Sequence, residues 1–232
     1  MSGKPLIFLL NLDKNLYDIK KDNIFALEKS TAQKGEKIIK KIQQMSGIIC
    51  LETEWTITKS NNKRWLCSEP LLRFLSESYH IPYIYRIVAT YDELRYYLKQ
   101  FCKKEYDKYN ILYFSCHGET HGIQLEGHKE LLTLQDLQEI GGTAFQDRFV
   151  HFSSCKTMLG SQTLIDEFKE ATGAKVVSGY TKTVDTVLSA IHDIALFREY
   201  QESKQIPPIF NRLYSLYGGL EDKLGFRTNS FE

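Results

Sequence analysis

Residues 109–118 read Tyr-Asn-Ile-Leu-Tyr-Phe-Ser-Cys-His-Gly, and residues 149–155 read Phe-Val-His-Phe-Ser-Ser-Cys. Each stretch is a short apolar run that ends in small and polar residues, as a buried strand does where it meets a turn. Parallel sheets gather their functional groups beyond the carboxyl ends of the strands. The two runs therefore predict neighbouring strands that present His117 and Cys155 at one edge of a sheet.

The rest of the chain alternates between strand patterns and helix patterns. Further short apolar runs predict strands, and apolar residues spaced i, i+3, i+4 and i+7 predict helices. The strands are predicted at 48–52, 81–88 and 175–178, the helices at 68–78, 94–101, 134–140, 164–171 and 186–200, and a small hairpin at 121–132. Repeated strand and helix units favour an α/β fold whose mainly parallel central sheet is covered by helices on both faces.

Several of the predicted helices have a recognisable first residue. Thr90 and Glu93 match a capping box, in which the two side chains bond to each other's backbone N–H groups. Thr133 is predicted to cap the helix that follows it, and Ser161 or Thr163 the helix after that. These residues predict where three of the helices begin.

Residues 1–46 differ in composition from the rest of the chain. They are rich in Lys, Asp, Asn and Gln, and a helical pattern near 34–45 places Ile38, Ile39 and Ile42 on one face. We interpret residues 1–46 as an N-terminal extension and residues 47–232 as the functional domain. A regulatory arm, a partner-binding helix and a simple packed extension are all open interpretations of the first segment.

Composition and charge limit the classes of partner. The 232 residues are 42% hydrophobic and 25% charged, as is typical of a globular protein. The 30 basic and 29 acidic side chains nearly cancel, so the chain has no strong net electrostatic field. Neither nucleic acid nor a membrane surface is expected as a partner. The apolar stretch near Met1 is too short for a secretory signal and no run is long enough to cross a membrane, so the expected location is the cytoplasm.

The five cysteines are spaced irregularly. They stand at 50, 67, 102, 116 and 155 and include no C-x-x-C pair. This pattern argues against a disulfide framework and against a structural zinc site. Phosphate-binding and dinucleotide-binding glycine loops are also missing from the sequence. We therefore expect no metal, no cofactor and at least one free thiol.

The pairing of His117 with Cys155 suits nucleophilic catalysis. Neighbouring strands lie about 4.8 Å apart, so the two side chains are expected within a few ångströms of each other. The imidazole then accepts the thiol proton, the thiolate attacks a carbonyl, and the imidazolium returns a proton to the leaving amine. Gly118 allows a substrate close to the backbone, and its N–H is expected to form an oxyanion hole with that of Cys155. Cys116 alternates to the other side of the strand and is expected to pack in the core.

Each half of this pattern also has a plainer interpretation. A cysteine at the end of an apolar strand is most often a small buried hydrophobe, and a lone His-Gly is usually a turn. The joint pattern is rarer than either half, because two adjacent predicted strands must end in complementary groups. Four of the other histidines, at 121, 128, 151 and 192, show no partnering signal in the sequence.

The two stretches resemble the paired motifs of caspase-like cysteine peptidases. Residues 111–118 and 150–157 carry this resemblance. The Ser-Ser-Cys-Lys-Thr of 153–157 is most similar to the form in the bacterial CHAT proteins, and residues 173–179 resemble the Gly-Ala-x-x-Val strand that follows in that family. The resemblance spans residues 47–200 and implies a caspase-like fold. It implies His117 as general base, Cys155 as nucleophile and the backbone of Gly118 and Cys155 as oxyanion hole, without a third, carboxylate member.

The resemblance also implies a substrate preference. Val184-Asp185 is similar to the Val-Asp that supplies an acid to the S1 pocket, which implies cleavage after Arg or Lys. Asp185 has a structural alternative, because it directly precedes a predicted helix and is a natural N-cap.

The expected function is a cytoplasmic cysteine endopeptidase that acts on a protein substrate, with an activating or regulatory protein as a possible partner. Two alternatives belong to other functional classes. One is a catalytically silent caspase-like domain that serves in binding or scaffolding. The other is an unrelated doubly wound α/β binding domain, for which His117 and Cys155 would lie on strands that are not adjacent.

Overall fold

The computed structural model describes residues 45–54, 67–126, 128–203 and 205–229, together with Gln33, Lys34 and Glu36. Contacts within the chain divide it into two units, Met1–Gln44 and Met45–Glu232. The helix predicted near 34–45 lies almost entirely outside the described residues. Both motif stretches belong to the second unit.

The second unit is built on a six-stranded sheet. The strands of the unit are β1 (Ile48–Glu52), β2 (Tyr83–Ile87), β3 (Ile111–Ser115), β4 (His117–Glu119), β5 (Gly122–Gln124), β6 (Leu132–Thr133), β7 (Phe149–Phe152), β8 (Val176–Tyr180) and β9 (Phe226–Thr228). The main sheet has the order β2-β1-β3-β7-β8-β9. Its neighbours are parallel except for β8 and β9, which pair antiparallel. The predicted α/β class with a mainly parallel sheet is confirmed.

Helices cover both faces of this sheet. They are α1 (Glu69–Tyr79), α2 (Tyr91–Phe101), α3 (Leu134–Gly141), α4 (Gln162–Thr172), α5 (Thr186–Glu202) and α6 (Ile206–Leu224). Apolar residues of α2, α3 and α4 form one core with the sheet, and those of α1, α5 and α6 form another. The predicted two-sided covering is therefore confirmed.

Alternation along β3 explains why its sequence is apolar throughout. Leu112 and Phe114 enter the core with α2, α3 and α4, whereas Ile111 and Tyr113 enter the core on the opposite face. All of the residues of the strand are buried. A strand covered on both sides has no solvent-facing position, so the polar residues that follow it mark its end.

A small antiparallel sheet, β4-β5-β6, follows β3. The hairpin predicted at 121–132 is wrong in its start, because pairing begins at His117, which lies opposite Gln124. Thr120 and His121 form the two-residue turn between β4 and β5, with His121 at a φ of 57°. Hairpins of this kind usually carry Gly or Asn at such positions, and neither is present to mark the turn.

The capping predictions are confirmed at two helices. Thr90 and Thr133 each accept the N–H of the residue three positions later, and both complete a capping box. Ser161 occupies the N-cap of α4 but makes no side-chain capping bond. Its N–H donates instead to Nε2 of His121 at 2.9 Å. Within the described part of the chain, no helix is long and apolar enough to cross a bilayer.

Candidate active site

β3 and β7 are direct neighbours and pair in parallel along the whole of β7. A hydrogen bond from Ser153 N–H to the carbonyl of Phe114, at 2.8 Å, continues the pairing past the strand end. Because the two strands are parallel, the segments that follow β3 and β7 both begin at the same edge of the sheet. His117 comes second after β3 and Cys155 third after β7. The predicted adjacency of the two strands is confirmed, although His117 lies in β4 and not in a loop.

The turn that carries Cys155 packs directly against Gly118. A Cβ atom on Gly118 would lie 2.4 Å from Thr157 Oγ1, 2.5 Å from the carbonyl oxygen of Cys155 and 2.7 Å from Ser154 Cβ. Distances this short are sterically forbidden, so only a residue without a Cβ allows the approach. Glycine at this position thus lets β4 contact the turn that carries Cys155, at the residue directly after His117.

We expect Gly118→Ala to lower the free energy of unfolding by about 1 to 3 kcal/mol, as overpacking usually does. The clash involves a backbone carbonyl, which moves only if the whole turn moves. Urea titration measures the effect. Gly219→Ala is the matched control, since the site is helical and, apart from its chain neighbours and the backbone of its own helix, no heavy atom of the described residues lies within 4 Å of the added Cβ. Equal stability of the two variants would contradict the close packing of Gly118.

Cys155 is a half-buried free thiol. Its Sγ accepts the N–H of Val184 at 3.5 Å, and an N–H directed at sulfur can stabilise negative charge there. The next residue, Lys156, has a φ of 56°, and its N–H donates to the carbonyl of Lys182 at 3.0 Å. The segment 182–184 and Gly118 therefore hold the turn from two sides.

Cys116 and His117 differ in their environment. His117 is half-buried on β4. Cys116 is wholly buried, and its Sγ donates to the carbonyl of Leu51 at 3.8 Å. Burial raises the pKa of the Cys116 thiol to about 12, so this thiol stays protonated at neutral pH and is no nucleophile. The predicted packing role of Cys116 is confirmed.

Asp185 caps helix α5. Its Oδ1 accepts the N–H groups of Val187 and Leu188, each at 3.0 Å. The N-cap interpretation of this residue is therefore confirmed. Asp185 is exposed and follows Val184, whose N–H meets the sulfur of Cys155. The backbone of Asp185 thus lies beside the turn that carries Cys155, while its carboxylate binds the start of the helix.

A pocket of about 50 Å³ lies at the carboxyl edge of the sheet, between α1 and α5. Residues from the ends of β1 and β3, from the turn after β7 and from the starts of the two helices line it. They include Glu52, Ser68, Ser115, Ser153, Val184 and Ser189. Glu52 is wholly buried. The pocket therefore joins a buried carboxylate to the segment that contacts Cys155.

Sequence reasoning missed a buried network centred on Asp193. Its Oδ1 accepts the hydroxyl of Tyr180 at 2.5 Å and pairs with Nε2 of His151 at 2.8 Å. Its Oδ2 accepts the hydroxyls of Tyr113 at 2.8 Å and Ser153 at 2.7 Å. The network ties α5 to β3, β7 and β8. Through Tyr113 and Ser153 it also reaches the pocket.

The helical pattern gave no signal for this network. Its spacing places Asp193 off the face shared by Val187, Ile191 and Ile194, where a surface position is expected, whereas the structure buries Asp193 and exposes Val187 and Ile191. His192, beside it, meets the hydroxyl of Tyr180 with Nδ1 at 2.9 Å. Among the described residues, however, no three His, Cys, Asp or Glu side chains are grouped so as to hold a metal ion.

Residues 45–229 match the model of one protein family, described as a family of unknown function (DUF6642). The match includes β1 to β9, the two motif stretches and the pocket. No curated protein matches the chain. The geometry of the site is therefore the basis on which a function can be argued.

Proposed function

The chain belongs to this family of unknown function (DUF6642), and we propose from its site that it is a cysteine endopeptidase with His117 and Cys155 as a catalytic dyad. The observation that carries the proposal is the contact between Gly118 and the Cys155 turn, at the ends of two neighbouring parallel strands. A base and a nucleophile need such closeness to exchange a proton. The N–H of Val184, directed at the Cys155 sulfur, supports the same roles.

The proposed reaction follows from the chemistry of the two side chains. His117 accepts the proton of the Cys155 thiol, and the thiolate attacks the carbonyl carbon of the scissile peptide bond. The N–H groups of Gly118 and Cys155 stabilise the oxyanion, each lowering the barrier by about 3 to 4 kcal/mol. The imidazolium donates its proton to the leaving amine as the C–N bond breaks. Water, activated by His117, then hydrolyses the thioester.

The fold supports the proposal at the level of its class. The caspase-like resemblance implies a mainly parallel sheet with helices on both faces, and this chain has one. The finer assignment, a caspase-like peptidase most similar to the CHAT proteins and acting on a cytoplasmic protein, is part of the proposal. So is cleavage after Arg or Lys, for which the resemblance implies Asp185 as the acid.

A peptide electrophile with arginine next to its reactive group tests the proposal. We expect a peptidyl chloromethyl ketone of this kind to alkylate Cys155 with saturation kinetics, because the peptide must bind beside the thiol before it reacts. Cys102, which is exposed, is the internal control and should react slowly and in proportion to reagent concentration. Mass spectrometry of the digested protein identifies the alkylated residue.

Two outcomes would overturn the proposal. Alkylation of Cys155 that is no faster than that of Cys102 would show that no peptide-binding site adjoins the thiol. Saturable alkylation of Cys155 without cleavage of the matching arginyl and lysyl peptides would identify the catalytically silent binding domain in place of an endopeptidase.

A further inference from the structure

A buried carboxylate forms part of the wall of the pocket between α1 and α5. Glu52 ends β1, and its Oε1 accepts the N–H of Ser68 at 3.0 Å and the hydroxyl of Ser115 at 3.4 Å. Its Oε2 accepts the hydroxyl of Tyr85. These bonds fix the position of the carboxylate. The attraction between a cation and a carboxylate in such a site is stronger than at the surface, because little solvent screens the two charges.

Val184 joins this pocket to the nucleophile. It lines the pocket, and its N–H donates to the sulfur of Cys155 at 3.5 Å. Ser153, two residues before Cys155, also lines the pocket, and its hydroxyl is held by Asp193 at 2.7 Å. A substrate side chain next to the bond that Cys155 attacks therefore has this pocket within reach.

The size and lining of the pocket suit the end of a long cationic side chain. Its volume is about 50 Å³, and one water molecule needs about 10 to 15 Å³, so about four water-sized groups fit. A guanidinium has four heavy atoms and an ammonium has one, and both carry only hydrogen-bond donors. Ser68, Ser115 and Ser189 also line the pocket, and their hydroxyl oxygens supply further acceptors.

We propose that Glu52 pairs with the Arg or Lys side chain that precedes the scissile bond, and so sets the substrate preference. This inference rests on the proposed function, because it assigns a residue to the substrate side of the same site. Asp185 is less suited to the task, since it is exposed and its Oδ1 binds the N-terminus of α5. Of the described residues in this segment, Val184 and Thr186 line the pocket and Asp185 between them does not.

Glu52→Gln tests the inference through peptide cleavage, because it removes the charge and keeps the size. We expect kcat/KM for arginyl and lysyl peptides to fall by about 100-fold or more. A peptide with citrulline, the neutral analogue of arginine, should change by less than about threefold, since no charge pair is lost. Glu69→Gln is the matched control, because it removes a carboxylate from the first turn of α1. We expect it to leave kcat/KM within about twofold.

Binding of a small cation tests the pocket without any cleavage. We expect n-butylguanidinium to bind the wild-type chain at least about 10-fold more tightly than it binds Glu52→Gln. Its neutral analogue n-butylurea should not distinguish the two proteins. Glu52→Asp keeps the charge and should retain preferential binding of the cation. Calorimetry measures the affinities, and circular dichroism establishes that each variant is folded.

The outcomes separate the role of Glu52 from the proposed function. Equal or absent binding of n-butylguanidinium by the wild-type chain and Glu52→Gln would overturn the inference, whatever the peptidase assay shows. Loss of the arginyl preference in Asp185→Asn, with Glu52→Gln unaffected, would also overturn it and assign the preference to Asp185. Cation binding through Glu52 without alkylation of Cys155 by the peptide electrophile would overturn the proposed function alone.

Discussion

Cys155→Ala is expected to lower kcat for peptide cleavage by about 10⁴-fold or more, and His117→Ala by a comparable factor. Without the thiol no thioester forms, and without the imidazole the thiol proton has no acceptor and the leaving amine no donor. Because the two groups act as a unit, the kcat of the double variant should fall by about the same factor as that of either single variant. Cleavage of an arginyl peptide, followed under single-turnover conditions, measures all three.

Two other cysteines provide controls for this loss. Cys102 is exposed, and Cys102→Ser should leave kcat within about twofold. Cys116→Ala removes a buried thiol next to His117, so it should lower the free energy of unfolding but leave the kcat of the folded protein unchanged. Undiminished cleavage by Cys155→Ala, or an equal loss in Cys102→Ser, would contradict the assignment of the nucleophile.

Asp193→Ala is expected to lower the free energy of unfolding by about 3 to 5 kcal/mol. This is the usual loss when one partner of a buried ion pair is removed. The change leaves His151 and the hydroxyls of Tyr113 and Tyr180 without the carboxylate that they share. Losses of this size are a large part of the total stability of a domain, which is about 5 to 15 kcal/mol. Urea titration at neutral pH measures the effect.

Asp92→Ala is the matched control for Asp193→Ala. Asp92 is also an aspartate on a helix, but its side chain is 93% exposed and its ion pair with Arg95, at 3.7 Å, is solvated. Exposed pairs contribute little to stability, so we expect no measurable change. Similar losses in the two variants would contradict the structural role assigned to the buried network.

The pH dependence of stability gives a second measurement of the same carboxylate. Burial raises the pKa of Asp193, but the adjacent His151 and the hydroxyl of Tyr180 more than offset this, so its pKa is lowered in the folded chain. The contribution of Asp193 is therefore fully present above its unfolded pKa of about 3.9, and it is lost as pH falls through the lower folded value. Asp193→Asn should remove this part of the acid dependence, whereas Asp92→Asn should retain it.

Much of the fold could be predicted because its signals are local. The strand at 48–52 is predictable with the limits that β1 has, since four of its five residues form an apolar run. The turn at Thr120 and His121 was missed, because a positive φ at a histidine has no sequence signature. His117 consequently was expected in a loop and lies in β4.

The candidate site could be predicted only in part. His117 and Cys155 were identified because each follows an apolar run, and the adjacency of β3 and β7 brings their strand ends together. The contact of Gly118 with the Cys155 turn was not predictable, because it depends on how β4 folds back. Glu52 was not identified at all, since an acid at the end of a strand is an ordinary sequence feature.

The amino-acid sequence by itself determined the order of strands and helices, the helix caps at Thr90, Thr133 and Asp185 and the residues that follow the central strands. These properties depend on apolar periodicity and on side chains within a few positions of each other. Only the tertiary structure decided which buried groups meet. Asp193 joins His151, and Glu52 shares a pocket with Val184, because the strand order and the packing of α1 and α5 bring together residues that are far apart in the chain.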